Sequence, residues 1–273
     1  MISYSGSQSF SSREDLLEYW NQCKDHNRFA VDVETVSLKE RLPIGFALAI
    51  YYSYKNVGKS GVNISGDQIL SIATFLIIFA MLGARLFYVI QYWADFNGDW
   101  AAILMLTQRE GFVFYGGFIA GLLYLIWYCA NYNLSFWKFM DLVIPGAALG
   151  YGIGRIGCFL HGCCYGAITK VPWAVIFPHH PGELHHPTQL YEAIFGILLF
   201  VALYYWNTYH KKFFGQTFLL GTIAYSVERF MVEFIRTNIV YAGLTAAQWI
   251  ALLCLFIALY FYYLKAQVRA LNK

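Results

Sequence analysis

Charge is scarce in this chain. Only 13% of its 273 residues are Asp, Glu, Lys or Arg, about half the share carried by soluble domains. That deficit excludes an ordinary water-soluble domain. The net charge is only +3, and no block of Lys and Arg forms, so nucleic acid is not an expected partner. The six cysteines do not form a spaced framework. Cys158, Cys163 and Cys164 fall within seven residues of one another, and Cys23, Cys129 and Cys254 are scattered. A disulfide scaffold is therefore excluded. A basic segment followed by an apolar core is missing at the N-terminus, so no cleavable signal peptide is expected.

Long apolar runs are what the chain has in place of charge. Hydrophobic residues make up 59%, and the mean hydropathy is +0.48. Runs of about twenty apolar residues cross a bilayer as helices. Six are predicted, at 69–92, 112–132, 137–160, 189–206, 214–235 and 247–265. The fold class is thus an all-α polytopic membrane protein of six helices, or seven if 43–54 adds one. Pro145 is expected to open the third span locally, and Gly117, Gly121, Gly146, Gly150 and Gly154 recur at helix-contact spacing. Lys55, Lys59, Lys138, Lys211, Lys212, Lys265, Arg269 and Lys273 all fall on one side if the six spans alternate. By the positive-inside rule that side is cytoplasmic, with the tail 266–273 on it.

Ahead of the spans, residues 13–25 are predicted to form a short helix capped by Ser12. Residues 28–35, R-F-A-V-D-V-E-T, alternate as a strand does. The run Pro43 to Tyr54 reads either as a second strand, completing a β-hairpin, or as the remnant of a first transmembrane helix. Asp32 and Glu34 lie on one strand face, where paired carboxylates hold a divalent metal.

The stretch Gly154 to Gly166, G-R-I-G-C-F-L-H-G-C-C-Y-G, stands out most. Arg155 sits at the end of an apolar run, and an ionisable residue at membrane depth is expensive enough to mark a site. Helical spacing puts Arg155, Cys158 and Gly162 on one face. Arg229, Glu233 and Arg236 share a face of the fifth span, Glu192 starts the fourth, and Arg85 ends the first. In the alternating topology Arg155, Glu192 and Arg236 lie toward the outer leaflet. Guanidinium groups gathered there bind phosphate bidentately, and the phosphate at hand is a lipid head group. A self-paired ion network is the plainer alternative. A second alternative is a tetrahedral metal site from Cys158, His161, Cys163 and Cys164, aided by His185 or His186. His179 and His180 enrich the same loop and read as solvated.

Two resemblances follow from these motifs. Residues 13–52, with Asp32 and Glu34 as Asp-x-Glu, resemble the start of a DnaQ-like 3′–5′ exonuclease domain; 1–54 is then a fragment of that domain or a remnant first helix. Residues 68–265 resemble the prolipoprotein diacylglyceryl transferases. G-R-I-G-C-F-L-H-G-C-C-Y-G is similar to the family's G-R-x-G-N-F-x-N-x-E-x-x-G. H-P-T-Q-L-Y-E matches H-P-S-Q-L-Y-E, R-F-M-V-E-F-I-R matches R-F-x-x-E-x-x-R, G-A-R-L-F-Y matches G-A-R-L-G-Y, and Gln248 matches a glutamine of the last helix.

The resemblance implies transfer of diacylglyceryl from phosphatidylglycerol to the lipobox thiol of a prolipoprotein, recognised by its signal peptide. No cofactor is implied, and the place is a bacterial inner membrane. Arg155 and Arg229 would hold the phosphate, supported by Glu233 and Arg236. Arg85, Gly116, Gly117, Gln189, Tyr191 and Glu192 would bind substrate. The family's H-G-G histidine is Tyr115 here, a poor base. Its signature asparagines are Cys158 and His161, and its glutamate is Cys163. His161 is the expected replacement base, with Tyr115 the other candidate.

Overall fold

A computed structural model describes residues 38–96, 113–178, 180–236, 238 and 240–271. The helix expected at 13–25, the strand at 28–35 with Asp32 and Glu34, and His179 lie outside these. Seven α-helices are found among the described residues: α1 (Leu38–Ser60), α2 (Gly66–Gln91), α3 (Phe114–Asn131), α4 (Phe136–His161), α5 (Thr188–Tyr209), α6 (Gln216–Val232) and α7 (Ala246–Leu271). The described strands are two-residue pairs, β1 (Val175–Ile176) with β2 (Leu184–His185) and β3 (Val240–Tyr241) with β4 (Leu244–Thr245).

The run 43–54 is helical, not the second strand of a hairpin. Its Ala47, Leu48 and Ala49 favour helix, and the 23-residue α1 runs on through Gly45 and Gly58. Four helices, α2, α4, α5 and α7, are long and apolar enough to cross a membrane. At 1.5 Å per residue, 22 to 26 residues reach roughly 33 to 39 Å, enough for a 30 Å hydrocarbon core. Large apolar side chains such as Ile90, Ile156, Leu198 and Phe256 stay exposed along them, a surface that suits lipid rather than water. Pro145 does not break α4, which runs through it, and its ring is fully buried.

The chain divides into two compact units, one of residues up to Ala49 with Ile144 onward, the other Ile50–Val143. In the second, Ser65 caps α2 with Gln68 in a reciprocal capping box, which satisfies two otherwise orphaned N–H groups. Helices α2 and α3 then meet backbone to backbone. A Cβ on Gly83 would fall 2.6 Å from the Gly116 carbonyl oxygen, and one on Gly117 would fall 2.8 Å from that of Ala80. Tyr124, Leu125, Tyr128 and Cys129 of α3 close a core with Val62, Ile72 and Phe139.

In the first unit, α4 packs on α1 through Gly150 and Gly45 and on α5 through Gly152 and Gly196. Gln216 of α6 bonds Tyr262 of α7 at 3.1 Å. Gln248 and Thr245 cap α7 reciprocally, at 2.9 and 3.2 Å. Gln248 also donates to the Phe230 carbonyl at 3.4 Å, tying α7 to α6.

Candidate functional site

Helix α4 carries Arg155 one and a half turns from its C-terminal end and stops at His161. Gly162 takes a left-handed φ of 74°, which only glycine adopts without cost. Its N–H returns to Phe159 and that of Cys163 to Cys158, closing the helix end. The next residues dock on α5. Gln189 Nε2 donates to the Cys163 carbonyl at 2.6 Å, and Thr188 Oγ1 donates to that of Cys164 at 2.9 Å. Cys164 is left-handed at φ 65°, a conformation unfavourable for a side chain with a Cβ. Its carbonyl is held from a second side by Arg236 Nη2 at 3.0 Å.

Glu192, one turn into α5, has no exposed side-chain surface. Three guanidinium groups from two other segments meet it: Arg155 at 3.2 Å, Arg229 at 3.4 Å and Arg236 at 3.8 Å. Arg229 is also paired with Glu233 at 3.1 Å, four residues on. The arginines keep 18%, 19% and 11% of their side-chain surface exposed. The carboxylate is therefore the floor of the cluster and the guanidinium groups are its open face. Each guanidinium has five N–H donors, so pairing with Glu192 leaves donors for a second anion. The self-paired network and the anion site weighed above are thus two faces of one arrangement.

Sequence reasoning missed Tyr151, Tyr225 and Glu228. The Tyr151 hydroxyl lies 3.2 Å from Glu192 and 3.4 Å from Glu228. Arg155 stacks over the Tyr151 ring at 5.2 Å, and Tyr225 packs edge-on against that ring. The signal was present: Tyr151 is one helical turn before Arg155, and Glu228 is an acid in an apolar helix beside Arg229.

Gln189, expected at the mouth, is fully buried. Tyr191 is half-buried and accepts from Trp173 Nε1 at 2.6 Å. Arg85, Tyr115, Gly116 and Gly117 belong to the other unit. There Arg85 is buried, with its guanidinium over the Tyr88 and Phe96 rings at 5.6 Å each. The backbone of Gly116 and Gly117 is taken up by the close contact with α2, which gives these glycines a packing role.

The sulfur atoms of Cys158, Cys163 and Cys164 lie within 4.8 Å of one another. His161, expected to share a metal site with them, does not join that group. It ends α4, six residues past Arg155. Hydrogen bonds from the Cys158 and Cys163 thiols, then the Arg155 and Arg236 charges, pull the Cys164 thiol below the ordinary range. Cys163, which donates to its neighbours, is pushed up.

The family model for prolipoprotein diacylglyceryl transferase matches residues 42–264. The chain belongs to the prolipoprotein diacylglyceryl transferase family. A phosphatidylglycerol–prolipoprotein diacylglyceryl transferase of Clostridium tetani is 39% identical over 200 residues, covering 71% of this chain and 78% of the relative. One from Finegoldia magna is 38% identical over 181 residues, covering 66% and 71%. One from Pasteurella multocida is 35% identical over 212 residues, covering 77% of each. The matched region contains every residue of the arginine cluster and the three thiols.

Proposed function

We propose that this chain is an enzyme that moves diacylglyceryl from phosphatidylglycerol to the lipobox cysteine thiol of a prolipoprotein. It would do so in a bacterial inner membrane, with six spans and a cytoplasmic C-terminus. The observation that carries this is the convergence of Arg155, Arg229 and Arg236 over one buried carboxylate. A phosphodiester laid on that open face receives charge-assisted hydrogen bonds from preset donors. Gln189 Oε1 is buried without a hydrogen-bond donor, and a glycerol hydroxyl of the head group would supply one. Tyr191 would assist substrate binding.

In the reaction, the thiolate attacks the glycerol carbon that carries the phosphate oxygen. A C–S bond forms and the C–O bond breaks. The electron pair stays on the phosphate oxygen, and glycerol phosphate leaves. The arginines stabilise the charge that grows on that oxygen, which is where such donors act most strongly. The proton of the thiol goes to His161, whose imidazole takes the place of the family's H-G-G histidine; Tyr115 stands at that histidine's position and is the weaker candidate. The signal peptide of the prolipoprotein would lie along the membrane helices, with its thiol at the outer face.

The test is direct. Purified protein in detergent, given phosphatidylglycerol and a lipobox peptide, is expected to yield a thioether-linked diacylglyceryl peptide and glycerol phosphate in equal amounts. A folded protein that consumes neither substrate overturns the reading.

A further inference from the structure

The loop between α4 and α5 carries a second cluster of ligand-type side chains, separate from the arginines. Its frame is rigid. Strand β2 pairs with β1 so that His185 faces Val175, and on its other side His185 bridges Ile168. A turn closes the β1–β2 hairpin: the His180 N–H donates to Phe177 at 2.9 Å, and the Glu183 N–H to His180 at 3.2 Å. The turn folds His180 back over β2. Glu183 Oε2 then lies 3.4 Å from His180 Nδ1 and 3.3 Å from His185 Nε2. One ligand atom from each of the three residues falls within 4.8 Å of the others.

The outward nitrogen of each ring is held from behind. His185, which is buried, has Nδ1 2.9 Å from the Gly166 carbonyl. A carbonyl only accepts, so Nδ1 carries the proton, and Nε2 of the neutral ring presents a lone pair. That lone pair faces a carboxylate oxygen. The contact needs a positive charge between the two atoms, either a proton on Nε2 or a metal ion. His180 has Nε2 on the Tyr165 hydroxyl, which can accept from it, and Nδ1 toward the same Glu183 oxygen. Metal-bound histidines are oriented in this way, each by an outer partner on its second nitrogen. The spacing also fits. With bonds of 2.0–2.1 Å, the edge of a tetrahedral zinc site is about 3.3 Å.

We propose that His180, Glu183 and His185 bind a zinc-class divalent transition-metal ion, with water as fourth ligand. Two imidazoles and one carboxylate favour such an ion over calcium or magnesium. The ion would brace Tyr165 and Gly166, next to the Cys164 carbonyl that Arg236 grips. The proposal does not depend on the transferase reading.

The experiment uses the full chain in detergent, stripped with a chelator and titrated with Zn²⁺ by calorimetry and with Co²⁺ by absorption. One equivalent is expected, with Co²⁺ showing tetrahedral d–d bands and no sulfur-to-cobalt charge transfer. His180→Asn with Glu183→Gln, both at partly exposed positions, is expected to abolish binding without unfolding the protein. Tyr165→Phe is expected to weaken it about tenfold, the usual effect of losing an outer partner. The triple Cys158→Ser, Cys163→Ser, Cys164→Ser variant is expected to bind as the wild type does. Absence of stoichiometric binding, its survival in the His180–Glu183 double variant, or charge-transfer bands lost in the triple serine variant would each overturn the proposal. In the first case the His–Glu contact is held by a proton alone.

Discussion

Glu192 decides the geometry of the site more than any one arginine does, because a single buried carboxylate orients three guanidinium groups. Removing one partner of a buried ion pair typically costs about 3–5 kcal/mol. Glu192→Gln is expected to lower thermal stability by an amount in that range and to abolish transfer; an unchanged melting temperature in detergent would show that the carboxylate is not structural. Arg155→Ala and Arg229→Ala are expected to fold and to lose on the order of 10²- to 10³-fold in turnover, the cost of removing a donor to developing charge. Lysine should rescue little, since an ammonium cannot copy the planar fork. A third prediction concerns Cys164. A lowered thiol pKa leaves thiolate present below the usual titration range, so its alkylation should persist as the pH falls from 8 to 6. In Cys158→Ala with Cys163→Ala the two side-chain donors are gone and the rate at pH 6 should drop; equal rates in both proteins would show that the cluster does not activate the thiol. At this scale much of the site is legible in the chain. Arg155, Arg229, Glu233 and Arg236 could be read from helical spacing and cost of burial. Tyr151 gave only the weak signal of its place one turn before Arg155; that it reaches acids on α5 and α6 is decided by how the three helices cross.

Helix ends and helix contacts were partly legible. Each predicted apolar run is a helix, four of the six long and apolar enough to cross a membrane, and the ends shifted by a turn or so, as caps and crossings rather than hydropathy set them. α7 runs on to Leu271, and α6 gives way to a short 3₁₀ turn at Glu233–Ile235. The segment 43–54 was open between strand and helix, since twelve apolar residues fit either; α1 resolves it because its polar flanks, Leu38–Arg41 and Lys55–Ser60, continue the same helix. The α2–α3 crossing gives the prediction at this scale. An alanine at Gly83 would place its Cβ 2.3 Å from that of Ala120 and 2.6 Å from the Gly116 oxygen. Gly83→Ala should therefore destabilise by about 1–3 kcal/mol, the usual cost of overpacking. Heat denaturation in detergent reads it, and an unchanged midpoint would mean that the two backbones part without cost.

For the whole molecule, the prediction is topological. With six alternating spans, a cysteine placed at Lys265 should react with an impermeant maleimide only after the cells are opened, and one placed at Trp173 should react from the periplasmic side. Labelling of both from the same side would reverse the positive-inside assignment. What the sequence determined by itself is what depends on local chemistry: helix or not, membrane or not, and which charges are too costly to be idle. Each of those is fixed within one run of twenty residues by hydropathy and period. Tertiary structure alone decided which of those charges meet, that one carboxylate underlies three arginines, and that His161 stands apart from the thiols it was grouped with. It also decided that His180, read as solvated, and His185 close around Glu183. Such contacts depend on crossings between distant segments, where a few ångströms of backbone approach, set by glycines such as Gly152 and Gly196, determine which side chains can touch.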